Sequence, residues 1–255
     1  MSTPYADQRK NHILDRLRAD GRVDAVDVAE SLGVTHETIR KDLIALERHG
    51  LLRRVHGGAV PVQSLSFEPA VGTRTEFAAE KTRIAQAALR HLPADGSVLI
   101  DAGSTTAQLV ELFPGDRDLT VYTNTVPLAL SLLTRPRLTV FTLGGRLRNT
   151  TFAEVGDWAA RALAEINVDV AFLGTNGISM SRGLTTPDPA EAAIKRLMLG
   201  CATTRILLAD HSKFGVVKGT KHADLDDIDL LISDSGLADR HVDELRSAGI
   251  EVELS

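Results

Sequence analysis

Apolar side chains at the start of the chain recur at helical spacing. Ile13, Leu14 and Leu17 share one face of a stretch predicted helical over 7–20, which Gly21 closes. Asp24 is placed to cap a short second helix that buries Val28, Ala29 and Leu32, and Gly33 breaks it. Thr35 offers an N-cap hydroxyl to a third helix over 36–49, ended by Gly50. At about 100° per residue, Leu43 and Leu46 fall within about 40° of Ile39, which gives this helix one packed face. "LLRRV" and "AVPV" are then β-prone, and the "HGG" between them suits a tight turn. This succession predicts a winged helix-turn-helix over 1–60.

Residues 61–79 lose the periodicity, carry Pro, Ser and Gly, and are expected to be a linker. From 80 onward short apolar runs alternate with helical stretches. Strands are predicted at 97–103, 119–124, 138–145, 168–177, 204–210, 229–235 and 250–254, with helices near 80–92, 105–113, 126–134, 154–166, 189–202 and 238–248. The runs are rich in Val, Leu and Ile without strict alternation, so both faces of each strand are expected to be covered. That predicts a mainly parallel sheet in an α/β domain over 80–255.

Composition narrows the picture. A hydrophobic share of 43% and a charged share of 25% are ordinary for a globular protein. No window reaches the length of an apolar membrane span, and the charged beginning of the chain lacks the apolar core of a signal peptide, so a cytoplasmic location is expected. A single cysteine, Cys201, excludes an internal disulfide and is expected to be a small buried residue. The eight histidines are scattered without metal-ligand spacing, so no metal and no cofactor are expected.

The net charge of −5 argues only against strong non-specific binding to nucleic acid, because charge is uneven. Residues 1–60 balance at +1 and the remainder at −6, while 36–58 hold five Lys or Arg against three acids, with His36, His49 and His56 besides. On the third helix Glu37, Lys41 and Arg48 point away from the packed face, with Thr38 and Arg40 on its flanks. Such a face suits the major groove, where Arg or Lys reads guanine and Thr meets a phosphate or a thymine methyl. Arg53, Arg54 and His56 in the hairpin would lie against the backbone or minor groove. A solvated amphipathic helix is the plainer alternative. The Gly33 turn, the capped third helix and the basic hairpin occurring together favour double-stranded DNA.

The stretch "GRVDAVDVAESLGVTHETIRKDLIALERHGLLRRVHGGAV" resembles the N-terminal domain of the DeoR family of bacterial transcription regulators. The resemblance lies in the "VTHETIRKDL" helix followed by the "GLLRRVHGGA" wing, continuous over about forty residues. It implies DNA contacts from Thr35, Thr38, Arg40, Lys41, Arg54 and His56, and His36, Arg48 and Arg53 join them as candidates by their place in the basic segment. Lys41 stands where most members carry Arg, which replaces a bidentate fork with a point charge. Asp42 is expected to hold Arg40 or a nearby amide rather than to touch DNA.

Loops after the predicted strands are rich in small polar residues. "DAGSTTAQL" offers Asp101, Gly103, Ser104, Thr105 and Thr106 at a strand-to-helix junction, where N–H groups and hydroxyls can surround a phosphate. No lysine follows the glycines as in a Walker loop, and the dinucleotide fingerprint is absent. Thr123 and Asn124 end the next strand, "LGGRLRN" supplies Gly144, Gly145, Arg146 and Arg148, and later loops bring Asn176, Glu191, Lys195, Asp210 and Lys213. In a parallel sheet these would converge on one crevice. Local capping is the plain alternative for the Ser-Thr-Thr turn, and a helix-stabilising i, i+4 pair for Glu191 and Lys195.

The order of these motifs is similar to the DeoR sensor domain, which resembles ribose-5-phosphate isomerase and the CoA-transferase fold, and the similarity spans nearly all of 6–254. It implies a phosphorylated sugar effector, and "GTNGIS", "RGLTTPDPAEAAIKRLM" and "LADHSKFG" look most like a branch that senses fructose phosphates. The expectation is a homo-oligomeric regulator, dimer or tetramer, that represses a carbohydrate operon and is released by its effector. The rival is an isomerase-like enzyme with an accessory DNA domain. Aldose–ketose isomerisation needs a carboxylate base beside C2, and "GTNGIS" holds no acid where the isomerases carry theirs. A third alternative is an adaptor whose N-terminal domain binds protein.

Overall fold

The computed structural model describes residues 5–20, 22–48, 51–60 and 65–255. The chain divides into two compact units, Met1–Pro69 and Ala70–Ser255. The expected closures of helices by Gly21 and Gly50 lie outside the described residues, as does the end of the "AVPV" run.

In the first unit α1 (Ala6–Asp20), β1 (Val23–Asp24), α2 (Ala25–Leu32), α3 (His36–Arg48), β2 (Arg53–Val55) and β3 (Gly58–Val60) follow one another. The Asp24 carboxylate accepts from the Val26 amide at 2.8 Å, and Gly33 closes α2 in the left-handed region at φ 62°. Ile13, Leu17, Val28, Ile39, Leu43, Leu46 and Leu52 form the core. Burying each such side chain contributes about 1.5–3 kcal/mol. The hairpin gains a strand that the sequence pattern missed: β1 pairs antiparallel with β3, in the order β1-β3-β2. That pairing requires Gly58, since a Cβ there would stand 1.9 Å from the Val23 carbonyl oxygen.

The second unit begins with a 3-10 turn at Val71–Thr73 and α4 (Ala78–Ala88), so part of the stretch expected as linker is built into it. It continues through β4 (Gly96–Ile100), α5 (Ser104–Glu111), β5 (Leu119–Thr123), α6 (Val126–Leu132) and β6 (Leu138–Thr142). Then come β7 (Arg146–Leu147), β8 (Glu154–Val155), α7 (Asp157–Ala164), β9 (Val168–Gly174), β10 (Gly177–Ser179) and β11 (Gly183–Thr186). The chain ends with α8 (Pro189–Gly200), β12 (Ala202–Leu208), β13 (Thr220–Ala223), β14 (Leu230–Ser233), α9 (Asp239–Ser247) and β15 (Glu251–Leu254).

Seven strands form one parallel sheet in the order β15-β14-β12-β9-β4-β5-β6. Alternate residues serve two cores. Val98, Ile100, Val170, Phe172, Ile206 and Leu208 pack with α4 and α5 on one face. Leu99, Ala171, Leu173, Leu207 and Leu231 pack with α7, α8 and α9 on the other. The inner strands β4, β9 and β14 are largely buried on both sides, which explains their apolar runs, while the edge strands β6 and β15 are partly exposed. The expected helix over 154–166 is instead a short strand followed by a helix, and the small antiparallel sheets β7-β8 and β10-β11-β13 were not foreseen. Their strands are too short for a period-two pattern to stand out.

Chain order runs outward from β4 to β5 and β6, then returns to β9 on the other side of β4. The carboxyl ends of β4 and β9 therefore flank the point where the order reverses, the usual place for a ligand crevice in such a sheet.

Candidate nucleic-acid interface and effector cavity

Helix α3 starts as its sequence directs. The Thr35 Oγ1 accepts from the Thr38 amide at 3.2 Å, and the two hydroxyls lie 2.8 Å apart. Ile39, Leu43 and Leu46 are buried, while His36, Arg40, Lys41 and Arg48 are exposed, as are Arg53 and His56 of the wing. Arg40 lies 3.5 Å from Glu37, in a pair with both side chains largely in solvent.

Two side chains depart from simple expectation. Asp42 does not hold Arg40: it is buried and takes a forked pair of bonds from Arg9 of α1, at 2.8 and 3.3 Å. The reason is periodicity, because Asp42 lies beside Leu43 and Leu46 on the packed side and faces α1. Arg54 donates from Nε and from its backbone amide to Glu47, at 2.5 and 2.8 Å. That hydrogen bond holds the Glu47 carboxyl below the usual range and ties the wing to α3.

In the second unit, Asp101 follows β4 and is almost fully buried. Its Oδ2 pairs with Lys195 and accepts from the Gly174 amide at 3.1 Å, while Lys195 Nζ also donates to the Gly174 carbonyl at 2.9 Å. Asn124 accepts from the Ala102 amide at 2.8 Å and donates to Asp101 Oδ1 at 3.4 Å. One network thus staples β4, β5, β9 and α8 at the point of strand reversal. Glu191 and Lys195 do not form the simple i, i+4 pair. Glu191 instead meets Arg148 and Thr151, because both residues lie on the buried side of α8 and reach different strand ends.

A cavity of 410 Å³ opens beside this network, and Gly103 and Ser104 are the expected effector residues that line it. The remaining lining comes from 71–81, Gln108, Thr125, Leu128, Thr151 and Phe152, among others. Several expected residues have structural partners instead. Thr106 bonds to the Gly103 carbonyl at 3.1 Å and Thr123 to the Ile100 carbonyl at 2.8 Å, both fully buried, and Thr105 is buried in α5. Asn176 accepts from Thr186 at 2.9 Å, and the Gly144 amide donates to Glu154 at 2.8 Å. Gly145 is required by its φ of 105° and by the Val155 carbonyl, 2.8 Å from where a Cβ would stand. Arg148 pairs with Asp188 at 3.2 Å, and Lys213 lies 3.8 Å from Asp210.

The residue missed is Lys81, which lines the cavity at 4% exposure. Burial lowers its ammonium to about 8, a shift opposed by Asp210 and reinforced by Lys213 and Arg74. A signal existed. Lys81 shares a helical stripe with Ile84, Ala85 and Ala88, so a cation stood in an apolar row.

His222 is buried against Thr175, and burial followed by the nearby Lys195 holds it well below the usual histidine range. The Cys201 thiol is pushed up by burial. Among the described residues, no cluster of three His, Cys, Asp or Glu is placed to hold a metal ion, and no helix is long and apolar enough to cross a membrane.

A winged helix-turn-helix with an exposed cationic helix, carried on one chain with a parallel α/β unit that holds a cavity, is the architecture of a DNA-binding regulator. The DeoR-like helix-turn-helix domain matches residues 9–64 and the DeoR C-terminal sensor domain matches 76–235, so the chain belongs to the DeoR family of transcriptional regulators. It is 38% identical over 247 residues to the HTH-type transcriptional regulator GlpR of Haloferax volcanii, covering 96% of each chain. It is 33% identical to the HTH-type regulator FruR of Bacillus subtilis, covering 92% of each, and 32% identical to the transcriptional repressor GlcR of the same organism, covering 97% and 96%. Among solved structures it is similar to the probable sor operon regulator of Shigella flexneri, at 14% identity and a TM-score of 0.46, covering 69% of this chain and 91% of that one. Its relatives carry the names of regulators, and the chain is a regulator rather than an enzyme.

Proposed function

We propose that this protein represses a carbohydrate uptake or catabolism operon and leaves its operator when a phosphorylated sugar, such as a fructose phosphate, occupies the cavity of the second unit. The observation that carries this reading is the cavity itself. It joins Gly103 and Ser104, at the start of α5, to the buried cation of Lys81. A helix start offers free N–H groups and a favourable dipole to an anion. The polar side chains of Thr125, Thr151 and Gln108 suit sugar hydroxyls.

At the other end of the chain, Thr35, Thr38, Arg40 and Lys41 would enter the major groove, with Arg53 and His56 against the backbone. A homo-oligomer supplies at least two such heads, because a single module reads too few bases for useful specificity. Names among the relatives, a repressor GlcR and a regulator FruR, support the sugar connection. Effector and operator are coupled only through different ligand affinities of two states, and about 5–150-fold is the usual range.

The test has two arms. Thermal shift against inorganic phosphate, fructose 1-phosphate, fructose 6-phosphate and their unphosphorylated sugars should pick out a phosphorylated compound. The same compound should lower affinity for a fragment upstream of the protein's own gene neighbourhood. A unit stabilised equally by free sugars would remove the phosphate from this reading, and a protein that ignores every such fragment at low salt would remove the operator.

A further inference from the structure

The segment from Ala70 to Phe77 is both a wall of the cavity and the first stretch of the second unit after the first unit ends at Pro69. Val71, Gly72, Arg74 and Thr75 of this strap face the cavity. The Val71 amide donates to the Thr150 carbonyl at 2.8 Å. The Phe77 ring stands edge-on to His211 at 4.8 Å, and its backbone takes a φ of 55°, in the left-handed region that non-glycine residues avoid. Lys81 Nζ donates to the carbonyls of Arg74 at 3.1 Å and Glu76 at 2.6 Å.

An ammonium has three N–H donors. The two strap carbonyls take two of them, and no further acceptor stands within bonding distance among the described residues. Lys81 is thus a buried cation short of one acceptor, at the wall of a cavity that the start of α5 also lines. An anion in that cavity supplies the missing acceptor and offsets the desolvation that lowers this ammonium. It also favours the protonated form of Lys81, and so keeps the charge-assisted bonds that Lys81 makes to the strap.

We propose that Lys81 binds the anionic group of the ligand and at the same time clamps the 70–77 strap, so that occupancy of the cavity fixes the segment by which the DNA-binding unit is tethered. This inference rests on the cavity being the effector site. Its consequence is reciprocal: whatever fixes the strap raises ligand affinity by the same factor by which the ligand favours the fixed strap.

Hydrogen exchange of the full-length protein tests it, with and without inorganic phosphate, fructose 1-phosphate and fructose 6-phosphate, and with thermal shift reporting binding separately. A compound that binds is expected to slow exchange of the 71–77 amides by about tenfold. Lys81→Gln should weaken that compound and abolish the slowing. Phe77→Gly deletes the ring contact, tolerates the positive φ and leaves the cavity lining intact. It should still bind the compound while the ligand-induced change in operator affinity falls toward onefold, which keeps the test open if Lys81→Gln fails to fold. Binding without any change in exchange at 71–77, or Phe77→Gly with an undiminished operator response, overturns the clamp and leaves the effector site standing. Absence of any thermal shift removes the effector site, and the clamp with it.

Discussion

The two units handle positive charge in opposite ways. On the first, Arg40, Lys41, Arg48 and Arg53 are exposed, and the nearest acid to Arg40 is an exposed partner at 3.5 Å. In the second, Lys81 and Lys195 are almost wholly buried and Arg148 nearly so, each against specific oxygen acceptors. Exposed cations attract a polyanion from a distance and lose strength as salt rises. Buried cations cannot wait in that manner, because an unpaired one is costly. Lys195 and Arg148 are held by the carboxylates of Asp101 and Glu191, and Lys81 lines the cavity. Thus lysine and arginine stand in solvent on α3 and the wing, and act as internal fastenings around Asp101 and Glu191.

The sharpest test of that contrast removes an internal fastening. Lys195→Ala leaves Asp101 buried without its counter-charge and should cost about 3–5 kcal/mol in urea unfolding of the second unit, whereas an unchanged midpoint would mean the pair is not a fastening. Asp42→Ala removes the forked pair of bonds that ties Arg9 of α1 to α3 and should cost the first unit about 1.5–3 kcal/mol, read from its own thermal transition. This carboxylate is the exception on the DNA-binding unit, since it acts as the second unit's charges do.

Arg40→Ala tests the docking surface. It should weaken specific operator binding by about 1–3 kcal/mol in a fluorescence anisotropy titration, with sugar-phosphate binding and unfolding unchanged. Loss of both activities together would erase the division of labour.

A gentler probe is pH. Around Lys81 stand Asp210, Glu80, Lys213 and Arg74, and burial leaves the ammonium near 8. The folded protein therefore releases this proton before the unfolded chain does, so the group's contribution to stability rises with pH above about 8. Anion affinity moves the other way, falling by at most about tenfold per pH unit above 8 as the ammonium is lost. Calorimetric titration of phosphate at pH 7 and 9 checks this, and a flat profile would separate Lys81 from the anion. The smallest effect belongs to Glu47→Gln: the exposed pair with Arg54 should leave the unfolding midpoint in place and change only how the wing meets DNA, seen as a shift in salt dependence.

How far the chain could be read in advance follows the same divide. The Ile39, Leu43 and Leu46 stripe, the Thr35 cap and the Gly33 stop each depend on neighbours within a few residues, and each stands where periodicity put it. The apolar strand runs likewise announced a parallel sheet. Strand β1 escaped because two residues carry no pattern, and its partner is found only through the close approach at Gly58. In the second unit the sequence marks Asp101, Asn124 and Lys195 as candidates to meet an effector, and the structure joins them to one another. Whether they would meet a ligand or one another was not legible. Lys81 was visible as a cation in an apolar stripe, and its bonds to Arg74 and Glu76 were not.

The order of residues alone determined the periodic faces, the Asp24 and Thr35 caps, the Gly33 stop and the kind of most longer elements, because those follow from torsions and burial over one or two turns. Which polar side chains became partners was decided by the tertiary structure. Asp101 meets Lys195 across 94 positions and Arg9 meets Asp42 across 33, and no local rule reaches that far. Buried charges must find partners wherever the packed sheet and helices bring one within bonding distance.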